Sequence, residues 1–359
     1  MSRRRLLSSL LGAGFTQSTA SYLTKADIDT AASDEVPIVV GFHSETPSSQ
    51  RTPIKRYVPA DWYNDFRHAT QMKDRLTKLL RGLSGIVSIG VIPGDRGGEN
   101  AKLLVRIQHT LFDSMLGEIP VHIGGVAVTV EAIDEITPLS CRQRLQGWNA
   151  SQSSIYGGYA ISGDNSTPIG SVGAPAFKNG RRYLATTQHI FAGSNASGKT
   201  LKHPDGTALG TVEAAKCRED FAMVRLNSNY HIERSIRYSG YNGIAGHYSS
   251  DGIGYLKSHN VKTQKVGQST CRTTFARIQS IANTIYTAPG CVPKPYTVVH
   301  KSNSNNKLKR GDSGAISFHE APNNSNKCWL ISFMNYEDSG KNTVFGTGLY
   351  RLANFGYHF

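Results

Sequence analysis

The chain has 359 residues, a length typical of about two globular domains. Its composition, with 38% hydrophobic residues, 18% charged residues and 36 glycines, excludes a collagen, a coiled coil, a multi-span membrane protein and a wholly disordered chain. Lysine and arginine number 40 against 26 acidic residues, a net charge of +14 that fits either a solvated basic surface or one that binds an anionic polymer or cell surface. No basic cluster interleaved with aromatic residues indicates a specific nucleic-acid site.

The N-terminus has the pattern of a targeting segment. Three arginines, Arg3 to Arg5, precede a short and weakly apolar run that ends near Phe15, and no acidic residue occurs before Asp27. The run is too short to span a membrane as a helix. The pattern resembles a twin-arginine export signal with Leu6 in place of the usual phenylalanine, and a mitochondrial-type presequence is the alternative. We therefore expect residues 1–35 to be an export signal and linker, and the protein to be secreted or held at the cell surface.

The five cysteines lack the spacing of metal ligands. In an exported protein they predict one or two disulfides and one unpaired thiol, with the pairing left open. No motif indicates an organic cofactor, so neither a metal nor a cofactor is predicted.

Residues 36–137 predict a small α/β domain. Residues 24–58 are polar and read as a linker with one strand at 37–42. Apolar residues at helical spacing between Trp62 and Leu83 then predict a helix over 61–82, which Gly82 ends. Strands are predicted at 85–92, 102–108 and 121–133, the last broken at Gly124-Gly125, with a short helix at 111–116. We find no catalytic cluster in this domain.

Residues 138–359 predict a second domain of short strands and turns, as in a β-barrel or sandwich. Three patterns in it carry chemistry. Segment 183–189 is a buried strand that delivers His189 at its end. In segment 220–226, Asp220 immediately precedes an alternating apolar strand, and in segment 311–314, glycines flank Asp312-Ser313 so that the backbone can turn sharply.

These residue types suit nucleophilic catalysis. A serine hydroxyl is a poor nucleophile until a neighbouring base takes its proton, and histidine suits that role because its ordinary pKa lies near neutrality. A buried carboxylate can fix the tautomer of the imidazole, and backbone N–H groups beside the serine can stabilise an oxyanion.

The order His, Asp, Ser in these contexts resembles the chymotrypsin-like (trypsin-type) serine peptidases, in a compact bacterial or archaeal form. The resemblance covers about 155–359 and includes segments 265–270 and 348–352. It implies a mainly β protein with two six-stranded antiparallel β-barrels, preceded here by the small α/β domain. It also implies a polypeptide substrate, with His189 as general base, Asp220 as its orienting acid, Ser313 as nucleophile, and the N–H groups of Gly311 and Ser313 as oxyanion donors.

The substrate pocket is where the chain departs from the family. Ser332-Phe333-Met334 takes the place of a Ser-Trp-Gly wall segment, so Met334 would narrow the pocket, and Gly348 lies in the family's closing segment. Lys307 stands six residues before Ser313, where trypsin-like enzymes carry an acidic pocket base. A lysine there would favour an acidic substrate side chain, and a solvated basic loop is the alternative.

Two further questions stay open at this point. Ile155-Tyr156-Gly157-Gly158 resembles the mature N-terminus of many family members, so residues 36–137 are either a pro-domain that is cleaved off or a retained accessory domain. The leading function is an exported serine endopeptidase, and the alternatives are a catalytically silent relative used for binding and a basic binder of polyanions.

Overall fold

The computed structural model describes residues 22–30, 34–46, 51–95, 100–134, 136–138, 151–163, 169–269, 274–287, 291–302, 312–338 and 342–359. The expected signal segment before residue 22, Gly311 and Lys307 lie outside these residues. Strands dominate the described part of the chain, so the prediction of a mainly β protein is confirmed.

The N-terminal part, residues 22–138, combines a long helix with seven strands. Its elements are α1 (Lys25–Thr30), β1 (Glu35–His43), β2 (Thr52–Pro59), α2 (Ala60–Leu79), β3 (Ile86–Ile92), β4 (Lys102–Gln108), α3 (Phe112–Met115), β5 (His122–Ile123), β6 (Val126–Ile133) and β7 (Ile136–Pro138). Helix α2 buries Trp62, Phe66, Ala69, Met72 and Leu76, as the helical spacing predicted. Leu79 of the same series is 61% exposed, because the helix ends there.

The linker predicted for residues 24–58 is wrong for most of its length. Strands β1 and β2 form an antiparallel hairpin with Glu35 opposite Pro59 and His43 opposite Thr52. Pro53 fits this hairpin because its strand, β2, is an edge strand of the sheet, where a missing N–H donor is tolerated.

The first barrel-like unit of the C-terminal part is a seven-stranded antiparallel sheet in the order β10-β9-β13-β14-β15-β12-β11. Beside it, β8 and β16 form a parallel pair. The strands are β8 (Ser154–Gly157), β9 (Ala160–Ser162), β10 (Ile169–Ser171), β11 (Ala174–Lys178), β12 (Arg181–Thr186), β13 (Thr200–Lys202), β14 (Ala208–Lys216), β15 (Phe221–Leu226) and β16 (His231–Ile236).

The second unit is a 15-stranded sheet that combines C-terminal strands with the strands of the N-terminal part. Its C-terminal elements, with two helices, are β17 (Ile244–Tyr248), α4 (Ser250–Ser258), β18 (Lys262–Val266), β19 (Thr274–Ile285), β20 (Lys294–Ser302), β21 (Ile316–Ala321), β22 (Asn324–Phe333), β23 (Tyr336–Asp338), β24 (Thr343–Thr347) and α5 (Tyr350–Ala353). From the N-terminal part, β1 pairs with β17, β3 with β19, and β7 with β23.

One hydrophobic core joins the N-terminal part to the second sheet. It contains Phe66 and Leu76 of α2 together with Ile278, Ile281 and Trp329 of the C-terminal strands. A buried arginine adds a polar link, because Arg106 on β4 donates to Gln279 on β19 at 3.0 Å while it also donates to Glu131 on the neighbouring β6 at 3.2 Å. The N-terminal part is therefore packed as a component of the second sheet.

A disulfide ties the two sheets together beside Asp220. Cys217, three residues before Asp220, is bonded to Cys291 across a sequence separation of 74 residues. Lys294 donates to the carbonyl oxygen of Cys217 at 3.1 Å and reinforces the same contact. Cys328 is a free and buried thiol, while Cys141 and Cys271 lie outside the described residues.

We expect the double variant Cys217→Ser/Cys291→Ser to lose about 4 kcal/mol of unfolding free energy, because the disulfide closes a long loop in the unfolded chain. Urea denaturation of the variant and of the wild type measures the loss, and reduction of the wild type should reproduce it. A loss below about 1 kcal/mol would show that the disulfide does not constrain the unfolded state.

Candidate active site

His189 lies between Asp220 and Ser313, within hydrogen-bonding distance of both. The Nδ1 atom of His189 lies 2.7 Å from Oδ2 of Asp220, and its Nε2 atom lies 2.7 Å from Oγ of Ser313. The backbone N–H of His189 also donates to Oδ1 of Asp220 at 3.0 Å. Both carboxylate oxygens therefore hold the histidine, and the imidazole faces the serine.

Two adjacent strands of the first sheet position the histidine and the acid. β12 and β15 pair so that Thr186 lies opposite Ala222. His189 follows β12 in a short 3-10 turn, and Asp220 immediately precedes β15. Asp220 has φ of 50°, in the left-handed region that aspartate tolerates better than most residues, and its N–H donates to the carbonyl of Cys217 at 3.2 Å.

Ser313 reaches the histidine from the second sheet through a tight contact between the sheets. Gly314 has φ of +87°, and a Cβ atom there would lie 2.4 Å from the carbonyl oxygen of Ser171 and 2.6 Å from Oγ1 of Thr186. The N–H of Ser171 donates to the carbonyl of Ser313 at 2.6 Å. Glycine is required because this turn lies directly against β10 and β12.

The carboxylate of Asp220 is fully enclosed and fully bonded. Only 1% of the residue is exposed, so its charge must be satisfied by donors from the protein. Besides His189, Oδ2 accepts from the hydroxyl of Tyr336 at 2.6 Å and from Nδ2 of Asn335 at 2.9 Å. The hydroxyl of Thr347 donates at 2.7 Å to the carbonyl of Glu219, the residue directly before Asp220, and so holds the backbone beside the carboxylate.

These donors keep the acid ionised. Burial by itself raises the pKa of Asp220, but the charge and hydrogen bond of His189, with the charge of Lys294 and the hydroxyl of Tyr336, outweigh it and hold the pKa well below its ordinary value. Because the pKa of Asp220 is lower in the folded chain than in the unfolded chain, this group stabilises the fold at pH values above the ordinary pKa of a carboxyl group. That contribution is lost as pH falls through the folded value.

A buried lysine stands behind the turn that carries Ser313. Lys265 is 1% exposed and its ammonium group bonds to the hydroxyl of Ser302. Burial lowers the pKa of Lys265 to about 8, against the opposing negative charges of Asp312 and Glu337. Asp312 is itself buried and accepts from the N–H of Ser269 at 2.9 Å. Asp312, the residue before Ser313, is thus held in place by the charge of Lys265 on β18 and by the N–H of Ser269 in the loop that follows β18.

The residues predicted for the substrate pocket lie in the interior. Ser332, Phe333 and Met334 have no exposed surface, and Gly348 is also buried. Ser332 bonds to His300 Nε2 at 3.0 Å, and Phe333 packs in the core between the sheets. Their role as a pocket wall stays a prediction, as does that of Lys307.

The contacts to Asp220 come from the two residues that directly follow the segment 332–334 singled out in the sequence. β22 ends at Phe333, and Asn335 and Tyr336 then reach Asp220. The ring of Tyr336 also lies against His189, with ring centroids 5.2 Å apart. Sequence reasoning missed both residues because a single sequence does not show where the strand ends relative to Asp220.

The assembled groups can transfer a proton from a hydroxyl to an imidazole. Such an arrangement can activate Ser313 as a nucleophile without a metal ion. The described residues contain no group of three or more His, Cys, Asp or Glu side chains that could hold a metal. Among the helices they form, none is both long enough and apolar enough to cross a membrane.

Comparisons with known proteins find similarity only among solved structures. No protein-family model and no curated protein matches the chain. Protease A of Thermobifida fusca has a TM-score of 0.41 and 17% identity, over 57% of this chain and 97% of its own. A Nocardiopsis protease has a TM-score of 0.41 and 20% identity, over 56% of this chain and 96% of its own. A glutamic acid-specific serine protease has a TM-score of 0.40 and 20% identity, over 57% of this chain and 99% of its own.

We expect Tyr336→Phe to lower kcat/KM about ten- to a hundredfold, because it removes one donor from a buried carboxylate. With fewer donors to the charged form, the pKa of Asp220 rises and acid unfolding begins at a higher pH. Steady-state kinetics and circular dichroism during an acid titration measure the two effects.

Tyr248→Phe is the matched control, since the hydroxyl of this buried tyrosine donates to the carbonyl of Glu320 at 2.8 Å rather than to Asp220. Equal losses of kcat/KM in both variants would contradict a specific role for Tyr336.

Proposed function

We propose that the protein is a serine endopeptidase that cleaves polypeptides through an acyl-enzyme. The observation that carries the proposal is the continuous set of hydrogen bonds from Ser313 through His189 to the buried Asp220. A buried, ionised acid on one imidazole nitrogen and a serine hydroxyl on the other is the arrangement that general-base activation of serine requires. The similarity to solved proteases is too low in identity and TM-score to add to this argument.

In the proposed reaction, His189 Nε2 takes the proton of Ser313 as Oγ attacks the peptide carbonyl. Asp220 holds the proton on Nδ1 and stabilises the imidazolium that forms. The imidazolium then protonates the leaving amine, and a water activated by His189 hydrolyses the ester. The N–H groups of Ser313 and Gly311 are the proposed oxyanion donors, and the N–H of Gly314 is already bonded to the carbonyl of Met334 at 2.8 Å.

We also propose that the protein acts outside the cytoplasm. The bond between Cys217 and Cys291 supports this, because structural disulfides form and persist mainly in oxidising compartments. The arginine-rich N-terminus is consistent with export, by a twin-arginine-type signal in our proposal.

Binding of an anionic polymer or surface is the second candidate function. A groove of about 380 Å³ on the first sheet is lined by Arg181, Arg182 and Arg225, which favours an anionic partner. However, Arg182 already donates to the carbonyl of Ile232 and Arg225 pairs with Glu213. Internal contacts thus satisfy part of this charge, so the hydrolase remains the better-supported function.

We expect a fluorophosphonate probe to label the wild-type protein at Ser313 and to leave Ser313→Ala unlabelled, because only an activated serine reacts readily. Ser258→Ala is the matched control, since Ser258 is a buried serine at the end of α4 and should not affect labelling. Fluorescence after gel electrophoresis and peptide mapping by mass spectrometry measure the labelling. A wild-type protein that stays unlabelled while folded would indicate a catalytically silent relative.

A further inference from the structure

A cavity of about 580 Å³ lies between the end of α2 and strands β19 and β20, and none of the candidate active-site residues lines it. Leu80, Leu83 and Ile86 form its wall on the side of the N-terminal part. Tyr286 and Tyr296 form the opposite wall, on the side of the C-terminal strands. Pockets that bind small molecules have volumes of about 300–1,000 Å³ and are mostly apolar with a few polar groups. The size of this cavity therefore suits a small ligand, and its lining decides which one.

Apolar side chains form the inner surface of the cavity. Leu80 and Ile86 are only 3% and 4% exposed. Leu83 and Tyr296, which line the same cavity, are 36% and 38% exposed although both are large and mostly apolar. Apolar side chains left exposed around a concave surface are a feature of binding sites. The cavity thus offers an apolar surface that a ligand could cover.

Tyr296 is held in an unusual backbone conformation beside the cavity. Its φ of 63° lies in the left-handed region, which is strained for an aromatic residue. The Cζ atom of Arg351 lies 4.3 Å from the centroid of its ring, and its carbonyl accepts from the N–H of Gly348 at 3.1 Å. Strained residues persist only where their surroundings hold them, and they concentrate at functional sites. Tyr296 is therefore a fixed part of the cavity wall.

The rim of the cavity carries an excess of positive charge. Lys73 pairs with Asp74, the single acid of the lining, at 3.2 Å. Across the ranges that the structure describes, no carboxylate pairs with Lys78, Arg81 or Arg218, which are all exposed and also line the cavity. Three cations thus stand beside the apolar surface, and together they favour a ligand that is negatively charged at one end.

Arg218 connects the cavity to the loop that carries Asp220. It directly follows Cys217 of the disulfide, and its Nε donates at 3.4 Å to the carbonyl of Pro293, two residues after Cys291. The disulfide therefore holds this arginine at the rim. A ligand in the cavity would contact the N-terminal part on one side and this loop on the other, so it would stabilise the packing of the two parts.

The strands along the cavity favour a small molecule over a peptide. Extended peptides commonly bind by adding a strand to the free edge of a sheet. Here β3 pairs with β4 and β19, β19 pairs with β3 and β18 on one side and β20 on the other, and β20 pairs with β19 and β24. The edges of these strands are occupied, so a ligand must bind through its shape, its apolar surface and its charge.

We propose that this cavity is a binding site for an amphiphilic carboxylate, of the chemical class of a medium-chain fatty acid. The carboxylate lies at the rim with Arg81 and Arg218, and the hydrocarbon chain covers Leu80, Leu83 and Tyr296. This inference does not use the proposed catalytic activity, because none of the groups involved is His189, Asp220 or Ser313.

The first experiment measures binding to the full chain by isothermal titration calorimetry with sodium dodecanoate below its micelle concentration. We expect one saturable site with a dissociation constant on the order of 10 µM and a rise of a few degrees in Tm when the site is filled. Butyrate should not bind measurably, because each buried methylene contributes up to about fourfold in affinity. Dodecyltrimethylammonium should not bind, because its charge is repelled by the rim.

The second experiment tests the two halves of the site with matched variants. Arg81→Gln should weaken dodecanoate binding about fivefold, and Arg75→Gln, an exposed arginine of α2 outside the cavity, should change it by less than about twofold. Leu83→Asn should also weaken binding about fivefold, while Leu116→Asn, at a 43% exposed leucine outside the cavity, should not. Circular dichroism checks that each variant is folded.

The outcomes distinguish a specific site from general attraction to a basic protein. Equal losses in Arg81→Gln and Arg75→Gln would show that net charge alone draws the ligand, which overturns the site. Equal binding of dodecyltrimethylammonium, or tighter binding of the acidic peptide acetyl-Leu-Glu-Leu-Glu amide, would overturn the chemical class. Folded wild-type protein that gives no heat with dodecanoate would also overturn the proposal.

A further variant separates this inference from the proposed function. Ser313→Ala should bind dodecanoate as the wild type does, since Ser313 is not part of the cavity. Loss of dodecanoate binding in Ser313→Ala would contradict the location of the site. Failure of the fluorophosphonate to label wild-type protein that still binds dodecanoate would overturn the hydrolase alone.

Discussion

The burial of one carboxylate organises the candidate active site. Asp220 is almost without solvent contact, so every donor that water would supply must come from the protein. Those donors lie on different elements: His189 follows a strand of the first sheet, while Asn335 and Tyr336 follow a strand of the second. Satisfying the charge thus requires both sheets to meet at one place, and the same requirement orients the imidazole toward Ser313.

The contact between the sheets is held by backbone fit as much as by side chains. At Gly314 the chain turns with no room for a side chain against Ser171 and Thr186, so Ser313 has little freedom to move away from His189. The disulfide at Cys217 fixes the loop of the acid from the other side. A site held by main chain and covalent constraint is preorganised, so its groups would need little rearrangement when charge develops in the proposed reaction.

Much of this could be predicted from sequence where the signal is local. Short patterns indicate the helix beginning near residue 60, the strands flanking Gly124-Gly125 and the three residues that meet at the candidate site. What could not be predicted depends on long-range pairing: the joining of β3 to β19, the role of Asn335 and Tyr336, and the hairpin within the supposed linker. Residues far apart in the chain meet there through strand register, which hydrophobic periodicity in a single sequence does not specify.

The core shared by the two parts of the chain has a consequence for recombinant production. Trp329, Ile278 and Ile281 are covered by side chains of the N-terminal part, including those of α2. A truncated gene beginning near residue 151 would leave these three in contact with water, as an apolar surface of the kind that promotes association between molecules. Producing a minimal version of this protein would therefore require either co-expression of the missing half as a separate polypeptide or replacement of those side chains by polar ones.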